Sequence, residues 1–284
     1  MPELPEVETV VRGLARRITG FRIASVRLSR KDILFGHNLP INKVLSRRRI
    51  QRVNRQGKQI HFILGSDLSL IVHLGMTGRL FVADRDDPKD PHTHLRIQFV
   101  RRQTELRFCD PRRFGGLWLI DGAAHQKRKW IGRKLPALGP DALDISLRNF
   151  RKLLRRNRQI KGLLLDQQLI AGVGNIYCDE SLHRVGIHPL TRACDLDDST
   201  VRRLHQKLRQ VLAEAIRDRG SSVSDYRTAD KNRGKFQRRH RVYKRAGQPC
   251  KRCHNLIERI LVSGRGTHIC PKCQPLFAIT SEQG

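Results

Sequence analysis

The chain has 284 residues, enough for two domains and a buried core, and 57 lysines and arginines against 26 acidic residues give it a formal charge of +31. Basic pairs and triplets recur along the whole length (Arg47-Arg48-Arg49, Arg101-Arg102, Arg155-Arg156, Arg238-Arg239), so the partner expected is a polyanion, nucleic acid first. With no run near 18 continuous apolar residues and no basic-then-apolar start, membrane and secreted classes are disfavoured, and an intracellular, cytoplasmic protein keeps its seven cysteines as thiols.

The chain opens MPELPEVETV, with carboxylates crowded at one end of a very basic molecule. Val7, Val10, Val11, Leu14 and Ile18 recur three or four apart, which predicts an amphipathic helix over 5–18. Pro5 suits its first turn and Gly20 lies past its end. Glu6 and Glu8 sit at the positive end of its dipole. That accounts for neither Pro2 nor Glu3.

From 21 to 120 the texture changes to short runs of period two, HFILG, LSLIVHL, LRIQFV, ELRFCD and GLWLI, split by Gly, Asp and Pro. These predict an antiparallel sandwich or barrel. WIGRKLPALGPDALD at 130–144 reads as an interdomain linker. Helical patterns follow at 146–157, 160–166 and 175–185. The clearest covers 199–219, with Val201, Leu204, Leu208, Val211, Leu212, Ala215 and Ile216 on one stripe and Gly220 closing it. Residues 221–240 lack apolar periodicity and predict a long mobile loop.

Cys250-x-x-Cys253 and Cys270-x-x-Cys273, sixteen residues apart, have the spacing of a four-cysteine structural zinc ribbon. Four thiolates leave no open coordination position, so one Zn2+ ion would fold the segment and do no chemistry. Cys109, Cys178 and Cys194 have no partner at metal spacing and read as small core residues. Between the knuckles, Gly264-Arg265-Gly266 sets an arginine at a hairpin tip, either as a phosphate contact or as a solvated turn residue.

MPELPEVETV, HLGMTGRL at 73–80, DPRRFGG at 110–116 and AGVGNIYCDESL at 171–182, in order and ahead of the cysteine ribbon, resemble the formamidopyrimidine-DNA glycosylase family over essentially the whole chain. The resemblance implies an α+β fold: an N-terminal helix and antiparallel β-sandwich (1–130), a linker (131–145), a helix-two-turn-helix module with a lesion-capping loop (146–240) and the zinc ribbon (241–284). It implies that DNA lies in a basic cleft between the halves, and that a monomer acts on double-stranded DNA holding oxidised purines or abasic sites, with a nucleoid-associated location.

The same resemblance implies a bifunctional glycosylase and abasic-site lyase of base-excision repair. With Met1 removed, the secondary amine of Pro2 becomes the nucleophile at C1′; an α-amino group titrates near ~8, far below a lysine. Glu3 is the general acid/base and Lys58 the catalytic-site lysine. Met76, Arg112 and Phe114 fill the gap left by the flipped nucleotide, Arg112 facing the orphaned cytosine. His73, His92, Asn175, Tyr243 and Arg265 hold the phosphate backbone, with Glu180 and Asp166 in support. The departure from the family pattern is greatest in 221–244, where RGKFQRRH and VYKR stand, so lesion preference transfers least. Two alternatives remain: an endonuclease VIII-like enzyme for oxidised pyrimidines, and a non-catalytic zinc-ribbon protein that has no need of Pro2, Glu3 and Lys58 together.

Overall fold

The computed structural model describes residues 1–37, 40–65, 68–121, 130–222 and 232–276. They form two compact units, Met1–Pro136 with Ile216–Gln237, and Ala137–Ala215 with Arg238–Gly284.

The first unit starts with α1 (Leu4–Ile18). Glu3 is its N-cap, and the Glu6 carboxylate accepts the Glu3 N–H at 2.9 Å in a capping box, so two donors at the helix start are satisfied locally. Leu4, Val7, Val10, Val11, Leu14 and Ile18 make the buried face. This face lies over both sheets of a sandwich, packing on β3 (Arg52–Gln56) and β4 (Gln59–Ile63) from one and β6 (Arg79–Asp84) from the other. The four-stranded sheet has the order β1 (Ile23–Leu28), β7 (Thr93–Phe99), β8 (Thr104–Cys109), β6 (Arg79–Asp84). The six-stranded sheet runs β10 (Trp130–Ile131), β2 (Leu34–His37), β9 (Gly116–Asp121), β5 (Leu68–His73), β4 (Gln59–Ile63), β3 (Arg52–Gln56).

The pairings are antiparallel except β2 with β9, which run parallel. A long crossover that holds the short helix α2 (Ile41–Leu45) and the six strands β3 to β8 allows that direction. Periodicity gave no sign of β2 or α2, because each is four or five residues long. Trp130 and Ile131, at the start of the Gly- and Pro-rich stretch, pair with His37 and Gly36 and so extend the sheet. Phe62, Phe99, Phe108 and Leu106 fill the space between the sheets, each at most 1% exposed. Truncating one such phenylalanine to alanine costs about 3–5 kcal/mol.

Register decides which side chains gather at one end of this unit. His73 closes β5 opposite Gln59, the first residue of β4, and opposite Gly116, the first of β9. β8 ends at Cys109, and the DPRRFGG turn follows.

In the second unit, α3 (Leu147–Leu154) is capped by Ser146, whose Oγ accepts the Asn149 N–H. α4 (Ile160–Leu165) and α5 (Asn175–Val185) follow, α5 ending on Gly186 at φ 85° in the left-handed region. α6 (Asp198–Arg217) buries Val201, Leu204, Leu208, Val211, Leu212 and Ala215, the stripe expected from sequence. The ribbon hairpin is β11 (Glu258–Val262) with β12 (Arg265–Ile269), turning at Ser263-Gly264. Of the expected 221–240 loop, 223–231 lie outside the described residues. Among the described residues, no helix is long and apolar enough to cross a membrane.

Candidate functional site

In the first unit the N-terminus is held by its own helix. Pro2 is buried, Glu3 is 4% exposed and Met1 is 48% exposed. Glu6 does more than cap: its second oxygen accepts the Ser221 N–H at 2.7 Å, tying the start of α1 to the segment that follows α6. Gly220, at φ 77°, packs so closely on Glu6 that an added Cβ would lie 2.6 Å from its carboxylate. Sequence spacing gave Glu6 only a dipole role, since a contact 215 residues away leaves no local pattern.

Lys58 follows Gly57 in the tight β3–β4 turn and is 6% exposed. It lies near enough to His73 for its charge to act on the imidazole. Burial first, then the charges of Lys58 and Arg133, push the His73 pKa down to about 4. The ring is therefore neutral at pH 7. Its Nδ1 accepts the Gly75 N–H at 3.1 Å, which assigns the proton to Nε2 and makes that atom a donor.

Met76 and Phe114 stand out from two touching turns, 43% and 47% exposed, as their flanking glycines suggested. An added Cβ on Gly75 (φ 62°) would come within 2.4–2.8 Å of the Phe114–Gly115 backbone, so only glycine lets the turns meet. The Arg112 guanidinium lies 4.5 Å from the Phe114 ring centroid. Asp110, 1% exposed, fixes this pair of turns: it accepts Thr77 Oγ1 at 2.5 Å and the Gly115 N–H at 2.8 Å. Asp110 and Thr77 stand inside the quoted motifs, yet nothing in a motif string distinguishes an organising residue from a contacting one. His92 is exposed on the same strand-end, its carbonyl accepting the Asp110 N–H at 3.0 Å.

In the second unit, Asn175 opens α5 and its Nδ2 donates to the Gly266 carbonyl at 2.8 Å, beside the exposed Arg265. The Asn175 Oδ1 is buried with no partner among the described residues. Tyr243 is half-buried, edge-on to His240 (5.6 Å) and His268 (5.1 Å). Glu180, fully buried, holds this stretch: its carboxylate accepts the N–H groups of Arg241, Val242 and Tyr243 at 2.9–3.0 Å. Burial pushes the Glu180 pKa up, and the three N–H donors pull against it. Neighbouring Asp179 pairs with Lys161, both fully buried, and accepts the His268 N–H of β12 at 2.9 Å. So α5 locks the ribbon to the helices through two adjacent carboxylates. The sequence showed Glu180 as a supporting residue and gave no sign of Lys161 or Asp179. Asp166 lies apart from this cluster, in an exposed ion pair with Arg158 at 3.0 Å.

The four cysteines meet. The Sγ atoms of Cys250, Cys253, Cys270 and Cys273 lie within 4.8 Å of one another, with separations of 3.9 Å (Cys250–Cys273), 3.3 Å (Cys253–Cys270) and 3.4 Å (Cys253–Cys273). A tetrahedron with Zn–S bonds of ~2.3 Å needs sulfurs ~3.8 Å apart, so the set fits one structural zinc ion. The Asn255 amide pulls the Cys253 thiol down to about 7, while burial pushes the thiols of Cys270 and Cys273 up. His183 Nε2 lies 3.5 Å from Cys250 Sγ, a contact the spacing could not reveal.

Models of three domains match the chain: the formamidopyrimidine-DNA glycosylase N-terminal domain over 1–117, its H2TH domain over 138–227, and the zinc finger found in FPG and IleRS over 247–276. A formamidopyrimidine-DNA glycosylase of Heliobacterium modesticaldum is 44% identical over 283 residues, covering 96% of this chain and all of the relative. One from Acidothermus cellulolyticus is 41% identical, covering 97% and 98%. Among solved structures, a Lactococcus lactis FPG in complex with Fapy-dG containing DNA is 36% identical with a TM-score of 0.84, covering 96% of this chain and all of that one. A MutM in complex with carbocyclic 8-oxo-G containing DNA gives 37% and 0.84 over 97% of this chain.

Proposed function

The chain belongs to the formamidopyrimidine-DNA glycosylase family, and on that premise we propose that it excises oxidised purines from duplex DNA through the amine of Pro2 and then cuts the strand. The observation that carries this reading is the setting of the N-terminus: Pro2 and Glu3 are buried at a capped helix start whose Glu6 is bonded on both oxygens. A disordered start would leave the amine unplaced; here Pro2 is buried immediately before the capped start of α1, which favours a defined position for a reacting group.

With Met1 removed, the Pro2 nitrogen attacks C1′ of the flipped nucleotide. The N-glycosidic bond breaks and the base leaves with a proton, and Glu3 protonates the ring oxygen as the sugar opens to the iminium. Loss of a C2′ proton then expels the 3′ phosphate, and a second elimination expels the 5′ phosphate. Lys58 offers its ammonium to a flanking phosphate, and the neutral His73 donates from Nε2. Met76, Phe114 and Arg112 occupy the vacated stack, and Arg112 donates to the opposite cytosine. Asn175, Tyr243 and Arg265 take phosphates on the second unit, held by Glu180, Asp179 and the zinc thiolates. As a DNA enzyme it works with the chromosome in the cytoplasm.

Borohydride trapping on an 8-oxoguanine:cytosine duplex, with peptide mapping of the adduct, tests the reading. The expected cross-link is on Pro2 with Met1 absent. Base release without an adduct, or an adduct on a lysine, overturns the Pro2 assignment.

A further inference from the structure

In the first unit the reacting residues and a set of unpaired arginines occupy opposite ends of the same elements. α1 has Pro2 and Glu3 before its first residue and Gly20-Phe21-Arg22 just after its last, and its 15 residues span ~21 Å. β8 is followed by Asp110, Arg112 and Phe114 and preceded by Arg101-Arg102, with ~17 Å of strand between. Backbone pairing gathers the arginines. The Ile23 N–H donates to the Arg48 carbonyl, Arg22 bridges to Arg49, and the Val100 N–H donates to the Arg22 carbonyl. Three distant segments thus bring Arg22, Arg47, Arg48, Arg49, Arg101 and Arg102 to one exposed end.

None of these six makes an ion pair among the described residues. The exposed carboxylates at this end of the four-stranded sheet, Asp84 and Asp86, lie at the end of β6, one strand spacing (~5 Å) from the Arg101-Arg102 turn that leads into β8 and three spacings (~14 Å) from β1. Two features set the face apart from an ordinary solvated surface. Arg102 is stacked 4.4 Å over Phe21, which packs edge-on to core Phe99, so its guanidinium is ordered in advance. Arg47 and Arg101 hold left-handed turn positions (φ 66° and 55°) that glycine or asparagine fill at lower cost.

We propose that this arginine face binds the phosphate backbone of a second stretch of duplex DNA, separate from the duplex processed at the Pro2 end. Planar guanidiniums from three segments match a backbone bearing one charge per ~1.7 Å of axis. Among the described residues at this end no aromatic ring is exposed, so the face offers no stacking platform for single strands. Holding a second duplex would let the enzyme pass between neighbouring DNA segments without dissociating. It also gives part of the +31 charge a role outside the reaction.

The test is co-diffusion of two differently labelled duplexes of about 12 base pairs on one protein at low salt. The native chain should carry both. A variant with Arg22, Arg48, Arg49 and Arg102 changed to Gln and Arg47 and Arg101 to Gly, which keeps both turns, should bind the second duplex about tenfold or more weakly. Excision from a single short lesion duplex should stay within about twofold of native, a readout independent of the second site. A variant with only Arg48→Gln and Arg49→Gln, whose side chains are exposed, should show a partial loss in the same direction. The proposal is overturned if the native chain carries only one duplex or if the variants still carry two. It also fails if excision falls in step with capture, which would assign the arginines to the lesion duplex.

Discussion

The sandwich and the ribbon keep their candidate site side chains in place by different means. Around the sandwich, α1 and two sheets share a large apolar core, and the turns that carry Lys58, His73, Met76 and Phe114 take their positions from strand register. The ribbon core is Val242, Cys250, Ile257 and Cys270, with Cys253 and Cys273 packed against it. Two of those four residues are metal ligands, and the stretch bearing Tyr243 is held by the Glu180 carboxylate as well as by burial of Val242. The candidate residues of the first unit therefore rest mainly on apolar area, and those of the second depend more on a few groups that must carry charge. Perturbing charge should injure the ribbon and spare the sandwich.

The largest effect should come from the zinc. Chelation, or Cys253→Ser, removes binding free energy of about 10–16 kcal/mol that serves as folding free energy for such sites. Amides of β11 and β12 should lose hydrogen-exchange protection while those of β4, β5 and β8 keep theirs, and duplex affinity should drop by about a hundredfold. Parallel loss in the sandwich strands would break the comparison.

Next in size is the buried pair below the ribbon. Asp179→Asn leaves the Lys161 ammonium buried without a counter-charge, at a cost of about 3–5 kcal/mol. The double change Lys161→Met with Asp179→Leu removes both charges and should recover most of that loss. Because the His268 N–H still loses its acceptor, phosphate binding through neighbouring Arg265 should stay weakened in the double variant. Urea midpoints followed by a probe in the second unit read the first effect, and duplex titration reads the second. Equal stability of the single and double variants would show the pair is not what ties β12 to α5.

The same contrast explains what was legible in the sequence. α1, α5, α6 and the ribbon could be placed because 3.6-residue periodicity and CxxC spacing are local, and Met76 and Phe114 could be placed at turns by their glycines. The parallel β2–β9 pair, the Lys161–Asp179 pair and the Glu6–Ser221 bond could not. Each joins residues far apart in the chain through one backbone or side-chain contact, and no periodicity records such a contact. Asp110 is intermediate: its motif was visible, and its bonds to Thr77 and Gly115 depend on β6 starting beside the end of β8, with Arg79 opposite Cys109.

Asp110 gives the sandwich-side counterpart of Asp179, with a smaller expected effect. Asp110→Ala removes acceptors from Thr77 Oγ1 and the Gly115 N–H, and the site can relax toward solvent, so about 1–3 kcal/mol is expected. The loss should be local. Excision opposite cytosine should fall through a poorly placed Met76–Phe114 wedge, while the midpoint of global unfolding moves by a few degrees. If Asp110→Ala instead unfolds the unit, register alone does not hold these turns.

The smallest and most pH-specific effect belongs to His73. Its folded pKa of about 4 lies below the unfolded value near 6.5, so between those limits the unfolded chain binds the proton and the folded one does not. The stability from a neutral His73 is complete above about pH 6.5 and is lost as pH falls toward 4. The full shift corresponds to roughly 3 kcal/mol, and solvent screening at a half-buried ring brings this to about 1–2 kcal/mol. His73→Gln should flatten that part of the profile, visible as a smaller drop in urea midpoint between pH 7 and 4.5. Protonation also fills Nδ1, so the Gly75 N–H loses its acceptor. The exchange rate of the Gly75 amide should therefore rise in acid before the sandwich strands open, and His73→Gln should remove that early rise. An amide rate that changes only with global unfolding would mean that the imidazole does not hold the Met76 turn.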